Sequence, residues 1–366
     1  MIIGVPKEIK NNECRVSLLA AGVESLVRAG HQVVIQHDAG LASGISDLDY
    51  ESVGGEIVDT AQQVYSQAEM IVKIKEPQPL EYRLLKKDQI VFAYFHLAAN
   101  RALTEALLES RITALAYETL STEQGELPCL TPMSEVAGRM AVQEGAKYLE
   151  EPMKGRGILL AGVPGVLPAE VVIIGAGTVG SNACRVAAGL GAHVTVLDVN
   201  LNRLRHLEEI MPPNVHTLMS NAHNIRESVF KADLVISCVL IRGSKAPCLI
   251  DRKMLSSMKK GAVIVDVAID QGGTIETSRP TTHDNPVYVI DGVVHYCVTN
   301  MPGAVARTST YALTNATFPY ILKVASDGYK KCVRDSHEIR TALNMTEGHL
   351  TIKEVAETFD IPYKKY

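Results

Sequence analysis

Short runs of β-branched and other apolar residues alternate along this chain with stretches whose apolar positions recur every three to four residues. The first half reads as strand Ile2 to Val5, helix Leu18 to Ala29, strand Gln32 to Ile35, a polar stretch, and strand Met70 to Ile74. Strand Ile90 to Phe95, a helix from about Arg101 to Glu109 and strand Ile112 to Tyr117 follow. Strands separated by helical patterns predict a parallel sheet with helices on both faces. A Gly/Pro/Glu-rich break over Glu123 to Pro128 places a domain boundary near Leu127, and Ser134-Glu135 opens a long helical pattern through Ala141, Ala146 and Leu149. A second series then predicts six strands: Val171 to Ile174, Val194 to Leu197, Val215 to Met219, Leu234 to Cys238, Val263 to Val267 and Val287 to Ile290. After Gly303 the pattern is helical from roughly Ser309 past Leu322, and the charged tail to Tyr366 shows no new strand set. That tail is too small for a domain and is expected to fold back onto the first one. The expected architecture is α/β with two doubly wound domains and a cleft between them. Residues 1–127 plus 307–366 form one domain and residues 128–306 the other.

Composition narrows the function. A chain of 366 residues suits two cores of comparable size. Lys+Arg 36 against Asp+Glu 41 gives a net charge of −5 with mixed signs, which argues against a nucleic-acid partner. Seven cysteines without a close Cys-x-x-Cys pair read as reduced thiols and a cytoplasmic protein. The opening Met-Ile-Ile-Gly-Val-Pro-Lys-Glu interrupts any signal-peptide core. The longest apolar region, Ile158 to Ala176, carries Pro164, Pro168 and Glu170 and reads as a loop followed by a buried strand, so no membrane span is expected. His223, His283, His295 and His337 lack ligand-like spacing with cysteine or carboxylates, so no metal site is expected.

One motif points to a dinucleotide. Val171-Val-Ile-Ile-Gly175-Ala-Gly177-Thr-Val-Gly180 ends a strand and opens a helix. Its glycines permit a tight turn, close approach to a pyrophosphate and helix-on-strand packing, while the free N–H groups of the helix meet phosphate. Asp198, at the end of the next strand, can accept hydrogen bonds from adenosine ribose hydroxyls and would repel a 2′-phosphate, which favours NAD; Arg203 and Arg205 soften that preference. Ligands of open α/β sheets bind beyond the carboxyl ends of the strands. Lys75, His96 and Asp270 stand at or just past such ends, and Arg15 lies in the loop after the first strand. Each also has an ordinary reading: a solvated lysine, a capping histidine, a turn or N-capping role for Asp270 and the nearby Asp266, and a surface arginine.

Around these residues the chain resembles the alanine dehydrogenase family along nearly its whole length. The resemblance is carried by Gly4-Val-Pro-Lys-Glu with Arg15-Val, Val72-Lys-Ile-Lys75-Glu-Pro, Phe95-His96-Leu-Ala and Pro132-Met-Ser134-Glu-Val-Ala-Gly-Arg-Met. It continues in Gly162-Val-Pro-Gly, Asp266-Val-Ala-Ile-Asp270-Gln-Gly-Gly and Asn300-Met-Pro-Gly-Ala-Val. Cys14 stands where the family has histidine, Leu19-Ala20 replaces Thr-Pro, and Ala306 replaces proline. The resemblance implies two Rossmann-like domains and hexameric assembly, with Arg15 and Lys75 binding substrate and His96 and Asp270 catalytic. It further implies cofactor contacts from Ser134, Thr178, Val179, Asp198, Arg203, Ser220, Val239, Arg279, Asn300 and Met301. The expected reaction interconverts L-alanine with pyruvate and ammonia using NAD. A saccharopine-type dehydrogenase fits the Asp-Gln-Gly-Gly and Asn-Met-Pro-Gly strings less well. The NAD-binding, hydride-carrying subunit of a transhydrogenase would not need Arg15, Lys75, His96 and Asp270 together.

Overall fold

The computed structural model describes residues 1–239 and 246–366, and these divide into two compact units. One unit comprises Met1–Met133 with Val305–Tyr366, the other Ser134–Ala304. The first part of the chain supplies β1 (Ile2–Val5), β2 (Gln32–Gln36), β3 (Glu56–Val58), β4 (Met70–Val72), β5 (Ile90–Ala93) and β6 (Thr113–Ala116). The second unit holds β7 (Glu170–Ile174), β8 (His193–Asp198), β9 (Val215–Met219), β10 (Leu234–Ser237), β11 (Val263–Asp266), β12 (Val287–Ile290) and β13 (Val293–Tyr296). The chain then returns to the first unit with β14 (Leu343–Thr346) and β15 (His349–Leu350).

In the first unit the sheet order is β15-β14-β6-β5-β4-β1-β2-β3, parallel from β6 to β3, with β14 antiparallel to β6 and β15 antiparallel to β14. The tail therefore does pack on the first unit, but it brings two strands that the sequence pattern did not predict. Polar residues hide them: Thr346 Oγ1 meets Thr113 Oγ1 at 3.1 Å, and Asn344 Nδ2 donates to Thr119 Oγ1 at 2.6 Å, so both are buried without breaking the strand. Met345 and Leu350 are fully buried in one cluster with Val91, Leu107 and Ala114. Each such side chain contributes about 1.5–3 kcal/mol on burial, part of what offsets the cost of ordering the tail. The three-residue β3, at the opposite edge, lies inside what the sequence reads as a polar stretch.

In the second unit the order is β12-β13-β11-β10-β7-β8-β9, parallel except for β12. Taken from β9 to β13, this is the doubly wound order of a dinucleotide-binding fold. Val287–Ile290 is not the sixth parallel strand that the sequence suggests. β13 takes that place beside β11, and β12 pairs on its outside through a two-residue turn at Asp291-Gly292, both with positive φ. In the apolar region before β7, Leu159, Val163, Val166 and Leu167 are exposed while β7 itself is buried apart from Glu170. Among the described residues no helix is long and apolar enough to cross a membrane.

Candidate active site

Three of the predicted residues leave the carboxyl ends of strands in the first unit: Arg15 after β1, Lys75 after β4 and His96 after β5. Arg15 is 2% exposed, which sets aside its ordinary reading as a surface arginine. Its loop is tied down by Val16 N–H donating to Thr310 Oγ1 at 3.1 Å and Ser17 Oγ–H donating to Val72 O at 2.7 Å. The guanidinium donates from Nε to Glu13 Oε1 at 2.6 Å and from Nη2 to Glu13 Oε2, so one edge of its fork already holds a carboxylate. Nη1 donates to Met133 Sδ at 3.0 Å. Burial alone would raise the Glu13 carboxyl, but the bond and charge of Arg15 hold it below its ordinary value.

Lys75 is half-buried, with its ammonium over the Tyr94 ring at 5.9 Å from the centroid. Burial first, then repulsion from Arg15 and Lys10, lowers its pKa. The His96 ring stacks parallel to the same Tyr94 ring, with centroids 5.9 Å apart. Tyr94 is itself buried and fixed by its hydroxyl donating to Cys129 O at 2.6 Å. His96 adopts a left-handed backbone, φ 49°, which costs a non-glycine residue about 1–2 kcal/mol. Glu118 offsets that strain: its Oε1 accepts from Phe95 N at 3.1 Å and His96 N at 2.6 Å, and lies 4.0 Å from His96 Nδ1. Arg15, Lys75 and His96 are thus gathered by groups the sequence reading passed over, Glu13, Tyr94 and Glu118. Glu118 follows the strand that ends at Ala116, so the strand-end rule that selects Lys75 and His96 also selects it.

In the second unit the predicted residues again collect at carboxyl ends. Gly175 follows β7, Asp198 ends β8, Ser220 follows β9, Val239 follows β10, Asp270 follows β11, and Asn300 and Met301 follow β13. Thr178 and Val179 open the helix Thr178–Gly189, and Ser134 lies in the helix Thr131–Tyr148. Gly175 has φ 107°, and a Cβ at Gly180 would collide with the Gly175 carbonyl oxygen. The turn therefore closes only with glycines at both positions. Gly177 caps the helix without a side-chain bond to its first N–H groups, which suits an incoming phosphate. These features fit a dinucleotide pyrophosphate. Beside the turn, Val199, Asn200, Leu201, Asn202, Arg205 and Met219 line a shallow open hollow.

Asp198 ends the strand just before that lining and is bonded to the backbone on both oxygens. Its Oδ2 accepts from Ala176 N at 2.6 Å and its Oδ1 from Asn200 N at 2.7 Å, so the carboxylate braces the glycine turn. Arg203 Nη1 lies 3.7 Å from Asp198 Oδ2 on an exposed side chain, whereas Arg205 Nη1 donates to Asn202 Oδ1 at 2.8 Å. Asp266 is the capping group: fully buried, it accepts from Ala268 N at 3.2 Å, Thr274 N at 3.0 Å and Ser278 Oγ at 2.6 Å. Burial raises its carboxyl despite these bonds. That leaves Asp270 exposed on the short 3-10 turn Val267–Gln271. The Arg279 guanidinium stacks over the Tyr288 ring at 4.4 Å. His283 Nε2 lies 3.2 Å from Asn300 O.

Comparison with known proteins gives concordant results. The N-terminal domain model of alanine dehydrogenase/PNT matches residues 4–137, and the C-terminal domain model matches residues 141–353. An alanine dehydrogenase of Methanococcus maripaludis is 56% identical over 99% of this chain and 98% of its own length. One from Bacillus subtilis is 54% identical over 99% and 96%. A solved L-alanine dehydrogenase superposes with TM-score 0.96 at 48% identity, covering 98% of this chain and 99% of that one. A transhydrogenase from Sinorhizobium meliloti, 24% identical with TM-score 0.82 over 96% and 99%, shares the fold.

Proposed function

The chain belongs to the alanine dehydrogenase/PNT family, and from that premise we propose that it interconverts L-alanine, NAD⁺ and water with pyruvate, ammonium, NADH and a proton. The observation that supports this most directly is the grouping of Lys75 and His96 about Tyr94, with Arg15 near enough to Lys75 to act on its charge, at the carboxyl ends of three parallel strands. An α-amino or α-keto acid needs a cation for its carboxylate, a donor for its carbonyl oxygen and a group that carries protons. Met133 sulfur is a weak acceptor, so a substrate carboxylate would displace it from Arg15 Nη1 while Glu13 keeps the opposite edge of the guanidinium oriented.

Lys75 would donate to the carbonyl oxygen of pyruvate and oppose the charge that develops on the carbinolamine oxygen. His96 would move the protons that hydration of the iminium and loss of ammonia require, because imidazole titrates near working pH. Asp270 would orient the attacking water and stabilise the cationic iminium. NAD, when bound, supplies the hydride acceptor. Gly175, Gly177, Thr178, Val179 and Gly180 would hold its pyrophosphate and Asp198 its ribose, with Ser134, Arg203, Ser220, Val239, Arg279, Asn300 and Met301 as further contacts. A cytoplasmic location and a homohexamer complete the proposal.

The test is NADH formation on mixing the protein with NAD⁺ and a panel of amino acids, each at saturating concentration. L-Alanine is expected to give the highest kcat/KM, and absence of turnover with it would overturn the reading.

A further inference from the structure

Lys73, Glu8 and Glu81 are buried charges of the first unit that take no part in the chemistry above. The Lys73 side chain is 0% exposed and those of Glu8 and Glu81 3% each. Exposed charges cost little, but buried ones are expensive and are often replaced by apolar groups without loss of stability. Their arrangement around the stretch 73–78 indicates what they hold.

Lys73 N–H donates to Phe92 O at 3.0 Å on the β5 side of β4. β4 ends at Val72 and the chain bends at Ile74, whose carbonyl accepts from Tyr94 N at 3.0 Å, so its N–H lies outside the strand ladder. Glu8 supplies the missing acceptor. Its Oε1 takes Ile74 N–H at 2.6 Å and Lys75 N–H at 3.4 Å. At the far end of the stretch, Glu81 Oε2 accepts from Gln78 N at 2.8 Å. Lys73 Nζ spans the two carboxylates, 3.2 Å from Glu8 Oε2 and 2.9 Å from Glu81 Oε1, and the Tyr65 hydroxyl donates to the same Glu81 oxygen at 3.0 Å. Burial raises the Glu8 carboxyl, and the charge of Lys73 opposes that rise.

We infer that Glu8, Lys73 and Glu81 are positioning residues for Lys75, a buried three-charge brace that fixes the backbone on which the substrate-facing lysine is mounted. This rests on the reading that Lys75 contacts substrate. An apolar packing of the same site would leave the Ile74 N–H without a partner, which accounts for ionic groups at this strand exit. Displacing a substrate-contacting group by about 1 Å costs on the order of a hundredfold in rate, so loosening the brace should appear in turnover of pyruvate and not in cofactor binding.

The experiment compares Glu8→Ala and Glu8→Gln with Lys75→Ala, measuring kcat/KM for pyruvate with saturating ammonium and NADH, the Kd for NADH and the melting temperature. Glu8→Ala is expected to lower kcat/KM about ten- to hundredfold with the NADH Kd within about twofold. Glu8→Gln, whose amide oxygen can still accept from Ile74, is expected to recover part of that loss. If Glu8→Ala fails to fold, Glu8→Gln alone decides, with a severalfold loss of kcat/KM expected at unchanged NADH affinity. Lower melting temperatures with wild-type kcat/KM in every folded Glu8 variant would overturn the brace. Wild-type kcat/KM in Lys75→Ala would instead overturn the role of Lys75 itself.

Discussion

Replacing Asp198 by asparagine separates two jobs that one carboxylate is assigned. In the structure both oxygens already accept backbone N–H groups, Ala176 at 2.6 Å and Asn200 at 2.7 Å, on a side chain 7% exposed. Asparagine has one acceptor oxygen, so its amide nitrogen must face the other donor and one of the two backbone N–H groups loses its partner. That costs about 1–3 kcal/mol, or roughly 2–12 °C in Tm for a unit of this size. If Asp198 also binds the adenosine ribose, a charge-assisted bond worth about 1.5–3 kcal/mol is lost as well, weakening NADH by about 10- to 150-fold. Removing the charge lifts repulsion against a 2′-phosphate, and Arg203, 3.7 Å away on an exposed side chain, can then turn to meet it. The NAD/NADP ratio of kcat/KM should therefore fall at least about tenfold. Calorimetry reads the first effect, and fluorescence titration with NADH and NADPH together with saturating-alanine kinetics reads the second. A lowered Tm with an unchanged cofactor ratio would mean that Asp198 only braces the glycine turn. An unchanged Tm would refute the accounting of its backbone bonds.

Two further outcomes follow from individual groups. His96→Ala should abolish turnover in both directions with the NADH Kd nearly intact, as seen by fluorescence titration; retention of half the wild-type kcat would make it a structural histidine. His295 is fully buried, with Nδ1 3.0 Å from Val293 O and Nε2 2.9 Å from Thr277 Oγ1, and burial lowers its pKa, with Arg279 adding to the effect. The unfolded chain therefore takes up a proton near pH ~6.5 that the native state resists, so stability falls as pH drops below that value, toward the depressed native pKa. Urea midpoints at pH 7.5 and 5.0 should differ less in His295→Gln than in wild type, and an equal difference in both would remove His295 from the linkage.

Much of the fold was legible because parallel strands buried on both faces are continuous apolar runs, as β5, β7, β10 and β11 are apart from their terminal residues. Strands whose partners supply polar satisfaction were not legible. Leu343-Asn-Met-Thr346 falls in the charged tail where no strand set is read, and only Thr113 and Thr119, facing its polar residues, make it a buried strand. The Asp291-Gly292 hairpin did carry a local signal, a two-residue turn between apolar runs, and should have produced both β12 and β13. In the site, strand ends pointed to Lys75, His96 and Asp270, but nothing in the pattern shows that Glu13 sits on the guanidinium two residues later. Side chains that act by holding others have no spacing of their own. Glu8, Glu13, Tyr94 and Glu118 become visible only when their partners are in place.

The state of the two cations also bears on which member of the family this chain represents. Arg15 is desolvated and held on one edge by Glu13, and Lys75 is pushed toward its neutral form by burial and by Arg15 itself. The Lys75 arrangement costs free energy in the resting protein. An anion arriving beside them would stabilise the Lys75 ammonium and replace a thioether contact on Arg15 with a charge-assisted one. It would do so with little ordering cost, since Glu13 and Tyr94 already orient both groups. A module that only carries hydride, with no organic acid to bind, would sustain that cost with nothing to offset it. The same cost in an amino-acid dehydrogenase is recovered each time a carboxylate binds, as expected of groups held ready for substrate.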